Sequence, residues 1–346
     1  MSPHTTTLAA LSLTLGSTIT ISSNHWVMAW VGLEINTLAI IPLISKSHHP
    51  RSIEAAVKYF LVQATASALL LFSSMTNAWL SGQWDTAQMT HPTSCLLLTT
   101  AMSIKLGLVP FHFWYPEVLQ GTSLTTALLL STLMKLPPLT LLLMVHNSLN
   151  PTLLTTLAIS STALGGWMGL NQTQTRKILA FSSISHLGWM TVIILYQPKL
   201  TLLAFFLYIV MTTTVFLTLN TTKTLNLATM MISWTKTPIL NTTLMLTLLS
   251  LAGLPPLTGF LPKLLITQEL TKQELTTTAT IIALLSLLGL FFYLRLTYYS
   301  TITTPPNTST HVKQWHTHNP TGPLAATLTA LSITLLPLSP MILTLT

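Results

Sequence analysis

"GLVPFHFWYPE" occupies residues 107–117 and "GLPPLTGFLPK" occupies residues 253–263. Each has Gly first, Leu second, Pro fourth, Pro tenth and a charged residue last. Proline has no backbone N–H, and its ring crowds the carbonyl four residues back. Pro110 therefore frees the carbonyl of Leu106, Pro255 that of Leu251 and Pro256 that of Ala252. Gly107 and Gly253 ease the local unwinding. In lipid, freed carbonyls need new partners, so a broken helix persists only where protein or water lines the gap. Two matched breaks in corresponding halves point to a transport site in a fold built from repeats.

The stretches around the breaks are strongly apolar. Of 346 residues, 50% are hydrophobic and only 6% charged, and the mean hydropathy is +0.64. Such a chain has lipid as its main solvent. Roughly 20 residues per span with short loops allows about eleven spans in one all-α integral membrane domain. The net charge of +8 does not suggest nucleic acid as a partner, because the 14 basic residues form no dense patch interleaved with aromatics. One cysteine, Cys95, excludes an internal disulfide, a thiolate-held iron–sulfur cluster and a Cys-rich zinc site. The start, "MSPHTTTLAALSLTLG", lacks a basic n-region and the Arg-rich character of a transit peptide.

Hydrophobic runs are expected as spans near 4–22, 25–44, 53–80, 94–116, 123–146, 151–170, 177–196, 200–222, 238–266, 276–300 and 323–344. Ser and Thr are frequent within them, where a hydroxyl can bond its own helix backbone. The longest loop is 301–322. One alternate set of loops carries Lys46, Arg51, Arg176, Lys177, Lys223, Lys236 and Lys313; the other carries Lys199 and Lys272 with Asp85, Glu269 and Glu274. The positive-inside rule puts the first set, and the N-terminus, on the cytoplasm-like side and the C-terminus opposite. Trp26, Trp79, Trp84 and Trp315 read as interfacial anchors.

Four charges fall inside spans: Glu34, Lys105, Lys135 just before Pro137 and Pro138, and Lys263 at the end of the second break. A lone charge at the bilayer centre costs about 2.5–3.5 kcal/mol on insertion scales. Four unpaired and facing lipid would cost on the order of 10 kcal/mol, so they are expected to face the interior. Desolvation weakens the charged form of an amine and of a carboxyl alike, which brings their proton affinities towards each other. That is the chemistry of a proton relay, although a buried Lys–Glu pair can also be purely structural. Arg51, Glu54 and Lys58 stand at helical spacing, and Glu54–Lys58 reads as a helix-end ion pair. Glu117 is expected at the membrane edge. His112 inside the first break and His186 mid-span can bridge a relay or simply pack. No helix spaces two histidines for a stacked pair of haems. His48 and His49 are expected to be solvated loop residues.

These stretches carry a resemblance. "SSNHWVMAWVGLEINTLAIIPLISKSHHPRSIEAAVKYFLVQA", "KLGLVPFHFWYPEVLQG", "LSTLMKLPPLTLLL", "GGWMGLNQTQTRKILAFSSISHLGWM" and "LAGLPPLTGFLPKLLI" closely resemble the subunit 2 family of mitochondrial NADH dehydrogenase (ubiquinone), respiratory complex I, in its vertebrate form. The resemblance extends over essentially the whole chain. It implies an antiporter-like membrane-arm subunit with two inverted five-helix repeats, here 1–146 and 151–300, plus a final transmembrane helix at 323–344. It implies that Glu34 and Lys105 form the interacting pair of a first half-channel, that Lys135 is the central relay lysine, that Lys263 serves the second half-channel, and that His112 and His186 belong to the axis joining them.

The resemblance further implies proton translocation in the mitochondrial inner membrane, driven by electron transfer from NADH to ubiquinone. No cofactor is then expected on this chain; NADH, FMN, Fe-S clusters and ubiquinone belong to other subunits. The implied partners are subunit 4L, subunit 4, the lateral helix of subunit 5, accessory subunits and phospholipids such as cardiolipin, with no nucleic acid. The N-terminus is implied on the matrix side and the C-terminus on the intermembrane-space side. Bacterial members generally carry fourteen spans with the broken helices seventh and twelfth, whereas the breaks here are fourth and ninth, so three N-terminal helices are missing by comparison. Two other functions stay open: exchange of a metal cation for protons, which would favour several mid-membrane carboxylates, and a non-conducting structural subunit.

Overall fold

The computed structural model describes residues 3–233, 237–302 and 322–339. Lys236, Lys313, Trp315, most of the 301–322 loop and the end of the expected last span lie outside the described residues. The described chain is helical throughout and contains no strand, only isolated bridges such as His25 with Asp85. The helices are α1 (Pro3–Ser22), α2 (Trp26–Ile44), α3 (Pro50–Ser81), α4 (Pro92–Leu106), α5 (Trp114–Gly121), α6 (Leu124–Ser131), α7 (Leu136–Met144), α8 (Pro151–Gly169), α9 (Thr175–Ile193), α10 (Pro198–Thr222), α11 (Leu227–Ser233), α12 (Pro238–Ala252), α13 (Phe260–Lys272), α14 (Thr276–Ile302) and α15 (Pro323–Thr334).

Among the described residues, five helical stretches are long and apolar enough to cross a membrane: Trp26–Ile44, Pro50–Ser81, Leu124–Met144, Pro198–Thr222 and Thr276–Thr301. The protein is thus an all-α membrane protein. Its hydroxyls serve the helices from within. Ser182 Oγ donates to the carbonyl of Leu179 at 2.8 Å, Thr191 Oγ1 to that of Gly188 at 3.0 Å and Thr247 Oγ1 to that of Leu244 at 2.9 Å. A side chain that donates to its own helix needs no partner from lipid.

Helix ends follow their local residues. Pro50 starts α3, and His49 Nδ1 caps it by accepting the Arg51 N–H at 3.3 Å, so this loop histidine does more than meet solvent. At 32 residues α3 is about 48 Å long, well beyond a ~30 Å hydrocarbon core. Trp26 corrects its reading as an interfacial anchor: it is fully buried, whereas Trp79 is 90% exposed. The chain folds as two compact units, Met1–Ser161 with Ile194–Pro198, and Thr162–Ile193 with Lys199–Thr346.

Candidate functional site

In the first unit α4 stops at Leu106, and Gly107 adopts φ +75°. Its N–H bonds the carbonyl of Ile104 at 3.2 Å, and the Leu108 N–H bonds that of Ser103 at 2.9 Å. Those paired bonds are a Schellman cap, which needs a left-handed residue and takes glycine at least cost. The second unit repeats it. α12 stops at Ala252, Gly253 has φ +82°, its N–H bonds the carbonyl of Ser250 at 3.0 Å, and the Leu254 N–H bonds that of Leu249 at 3.4 Å. This corrects the proline account of the breaks. Glycine ends each helix, while Pro110, Pro255 and Pro256 stand in the turn beyond, where they lack the N–H to resume it.

The two breaks are sealed by different donors. The Trp114 indole N–H donates to the carbonyl of Ile104 at 3.2 Å. In the second unit Lys263 Nζ donates to the carbonyl of Ala252 at 2.7 Å, the group that Pro256 cannot serve. At the far end of the first motif Glu117 meets Lys58 Nζ at 2.7 Å, and Lys58 also holds Glu54 at 2.5 Å. Lys58 therefore bridges two carboxylates, only one of which its own helix supplies. The triad is half-exposed, so its electrostatic gain is screened.

Lys105, at the end of α4, and Lys135 line one small space in the first unit, together with Tyr59, Gln63, Trp114 and Tyr115. Its volume, about 20 Å³ for the centre of a water-sized sphere, is room for little more than a single water. Both lysines are buried, at 5% and 3% exposure, and among the described residues the Lys105 ammonium makes no hydrogen bond. Lys135 closes a 3-10 turn, Leu133–Lys135, between α6 and α7. Pro137 and Pro138 supply no N–H to the turn before them, and the Leu136 N–H bonds the carbonyl of Leu133 instead. The Lys135 ammonium stands 4.5 Å from the centroid of the Tyr115 ring.

Glu34 on α2 acts electrostatically on Lys105 and Tyr59, without a direct ion pair to Lys105. Its carboxylate accepts from Thr37 Oγ1 at 3.0 Å. His112 is buried in the turn of the first break against Phe113, with ring centroids 4.2 Å apart, and it does not line the lysine cavity. Of the first-unit residues singled out in the sequence, the structure gathers Lys105 and Lys135, sets Glu34 within electrostatic reach, and leaves His112 aside.

A second small space, also about 20 Å³, lies in the other unit among Lys263, His186, Trp189, Ser185, Thr162 and Tyr293. His186 Nε2 and the Tyr293 hydroxyl are 3.4 Å apart. The Lys263 ammonium lies 5.9 Å from the Trp189 ring centroid. Among the described residues, no carboxylate lines either space. Tyr115, Trp189 and Tyr293 bear no mark in the sequence, since aromatics in apolar spans look like core. Arg295 on α14 joins them: its guanidinium donates to the carbonyl of Leu170 just past α8 and sits 5.6 Å from the Tyr299 ring centroid. Arginine near the end of an apolar span was the signal available.

Residues 23–289 match the family described as NADH:quinone oxidoreductase/Mrp antiporter, TM, and residues 290–343 match NADH dehydrogenase subunit 2 C-terminus. The chain is 76% identical over 343 residues to NADH-ubiquinone oxidoreductase chain 2 of Struthio camelus, covering 99% of both chains. It is 72% identical over 345 residues to the protein of that name from Coturnix japonica, covering 100% of both. Among solved structures it resembles a chain of respiratory complex I from Thermus thermophilus, with a TM-score of 0.84 at 25% identity, over 97% of this chain and 79% of that one. It shares its fold with a chain of the Mrp complex from Dietzia sp., with a TM-score of 0.82 at 17% identity, over 97% and 75% respectively. A chain with matched helix breaks, a lysine beside each and these likenesses over nearly its whole length belongs to the NADH:quinone oxidoreductase/Mrp antiporter transmembrane family, with the C-terminal segment of NADH dehydrogenase subunit 2.

Proposed function

We propose that the chain is a membrane-arm subunit of the proton-pumping NADH:ubiquinone oxidoreductase of the mitochondrial inner membrane, and that it moves protons through buried Glu and Lys residues. The observation that carries this reading is the shared cavity of Lys105 and Lys135, with Glu34 acting on Lys105. Two amines in one small space resist being charged together, so a proton taken by one weakens the hold of the other. Coupled sites of this kind pass charge along a row. Lys263 and His186 form the corresponding station of the second unit, where the carbonyl end of α12 favours the ammonium. The family resemblance also implies His112 as a member of the relay.

The finer features of this proposal come from the family. They are eleven transmembrane helices in two inverted five-helix repeats with a final helix, an N-terminus on the matrix side, and a C-terminus on the intermembrane-space side. The partners are subunits 4L and 4, the lateral helix of subunit 5, accessory subunits and phospholipids such as cardiolipin. The chain carries no redox centre of its own; NADH, FMN, Fe-S clusters and ubiquinone are bound elsewhere in the complex. A metal cation is the less favoured cargo, because the charged side chains lining both spaces are lysines, which repel it.

Lys105→Met in the assembled complex, reconstituted in vesicles, is the test. NADH-driven proton uptake into the vesicle lumen is expected to fall at least tenfold with assembly retained. Uptake at the unmodified level would overturn the relay and leave a structural role.

A further inference from the structure

We propose that Tyr115 is a positioning residue for Lys135: the face of its ring holds the ammonium in a space without carboxylates, and so sets how a proton is shared between Lys135 and Lys105. The inference deepens the relay reading and rests on it.

The geometry has three parts. The ammonium lies 4.5 Å from the ring centroid, within cation–π range, and both residues are nearly fully buried. Such contacts gain strength when water is excluded, and this space holds little more than one water. The ring is also held in place. Tyr115 sits in the first turn of α5, its N–H bonded to the carbonyl of His112 at 3.1 Å. Its neighbour Trp114 is tied to Ile104, and Glu117, two residues on, is tied to Lys58. The arrangement recurs in the second unit, where Lys263 faces Trp189 at 5.9 Å.

The two lysines of the first unit thus have different neighbours, with Glu34 in electrostatic reach of Lys105 and an aromatic face beneath Lys135. The titratable side chains lining the space with Lys135 are Lys105 of α4, Tyr59 of α3 and Tyr115 itself, while α2 brings Glu34 within reach of Lys105. An aromatic face favours the cation without binding the proton, so it biases the site and leaves the transfer reversible.

The experiment is the pH profile of NADH-driven proton uptake by the assembled complex in vesicles. Tyr115→Leu removes the π-face, and the alkaline limb of the profile is expected to move down by about one pH unit, the tenfold change a desolvated contact of this kind can supply. Tyr115→Phe keeps the face and is expected to restore the wild-type limb. Should Tyr115→Leu not assemble, Tyr115→Met retains more of the volume and carries the same expectation. An unshifted profile in assembled Leu or Met variants overturns the inference, as does a Phe variant shifted as far as Leu, which would assign the work to the hydroxyl. Failure of the relay itself shows separately, as normal uptake in Lys105→Met.

Discussion

The two helix breaks use one backbone device and two different chemistries. Each 15-residue helix ends in a glycine Schellman cap. In the first break an indole that does not titrate seals the helix end, and the Lys105 ammonium has no hydrogen bond among the described residues. In the second, the lysine is itself the seal, donating to Ala252. The seventh position differs as well. Phe113 is 65% exposed in the first break, whereas Gly259 in the second packs against the carbonyl of Ser250. The first break separates structure from proton chemistry; the second joins them in Lys263. Substitutions that only weaken structure in the first break should therefore disturb transport in the second.

The largest expected effect is at Gly259. A Cβ there would lie 1.7 Å from the Ser250 carbonyl oxygen, a backbone clash that no rotamer relieves. Gly259→Ala is expected to abolish assembly on native gels, whereas Phe113→Ala, at the matching position, assembles normally. Equal assembly of the two would remove this part of the contrast.

Next come the two seals. Lys263→Met leaves the Ala252 carbonyl without its donor, at a cost of about 1–3 kcal/mol in stability, and is expected to lose proton uptake. Trp114→Phe removes the indole donor, but the Ile104 carbonyl still accepts the Gly107 N–H, so the cost is smaller, about 0.5–1.5 kcal/mol, and uptake should stay above half. Thermal unfolding and proton uptake measured together separate stability from transport. Trp114→Phe losing uptake as fully as Lys263→Met would break the comparison.

The smallest effects concern the capping glycines. Alanine at either carries the left-handed strain of roughly 1–2 kcal/mol. At Gly107 the nearest atoms to a new Cβ are 3.5 Å away, but at Gly253 the Lys263 side chain lies at 2.9–3.1 Å and must shift. Gly107→Ala should lower thermal stability alone. Gly253→Ala should do so by a similar amount and also reduce uptake severalfold; equal uptake in both variants would count against the coupling of backbone and lysine in the second break.

Much of this could be read from residues near one another in the chain. Gly107 and Gly253 announced the ends of α4 and α12, because a left-handed cap is a property of one residue and its neighbours. The prolines marked the turns, though the reading gave them the glycines' work. Glu54–Lys58 was legible at helical spacing, but Glu117 was not, since it reaches Lys58 from 59 residues away. Tyr115 and Trp189 carried no mark to separate them from ordinary apolar packing.

The sequence by itself determined the class of solvent, the helical character, the places where helices stop, and the lysines that must avoid lipid. Those follow from hydropathy, backbone preference and the cost of charge in oil, which act residue by residue. Only the tertiary structure decided that Lys105 and Lys135 share one small cavity, that Glu34 influences Lys105 without touching it, that Tyr115 underlies Lys135, and that Lys263 closes its own helix end. Such meetings depend on how packed helices are rotated and offset against each other, and the periodicity of a single segment does not encode that.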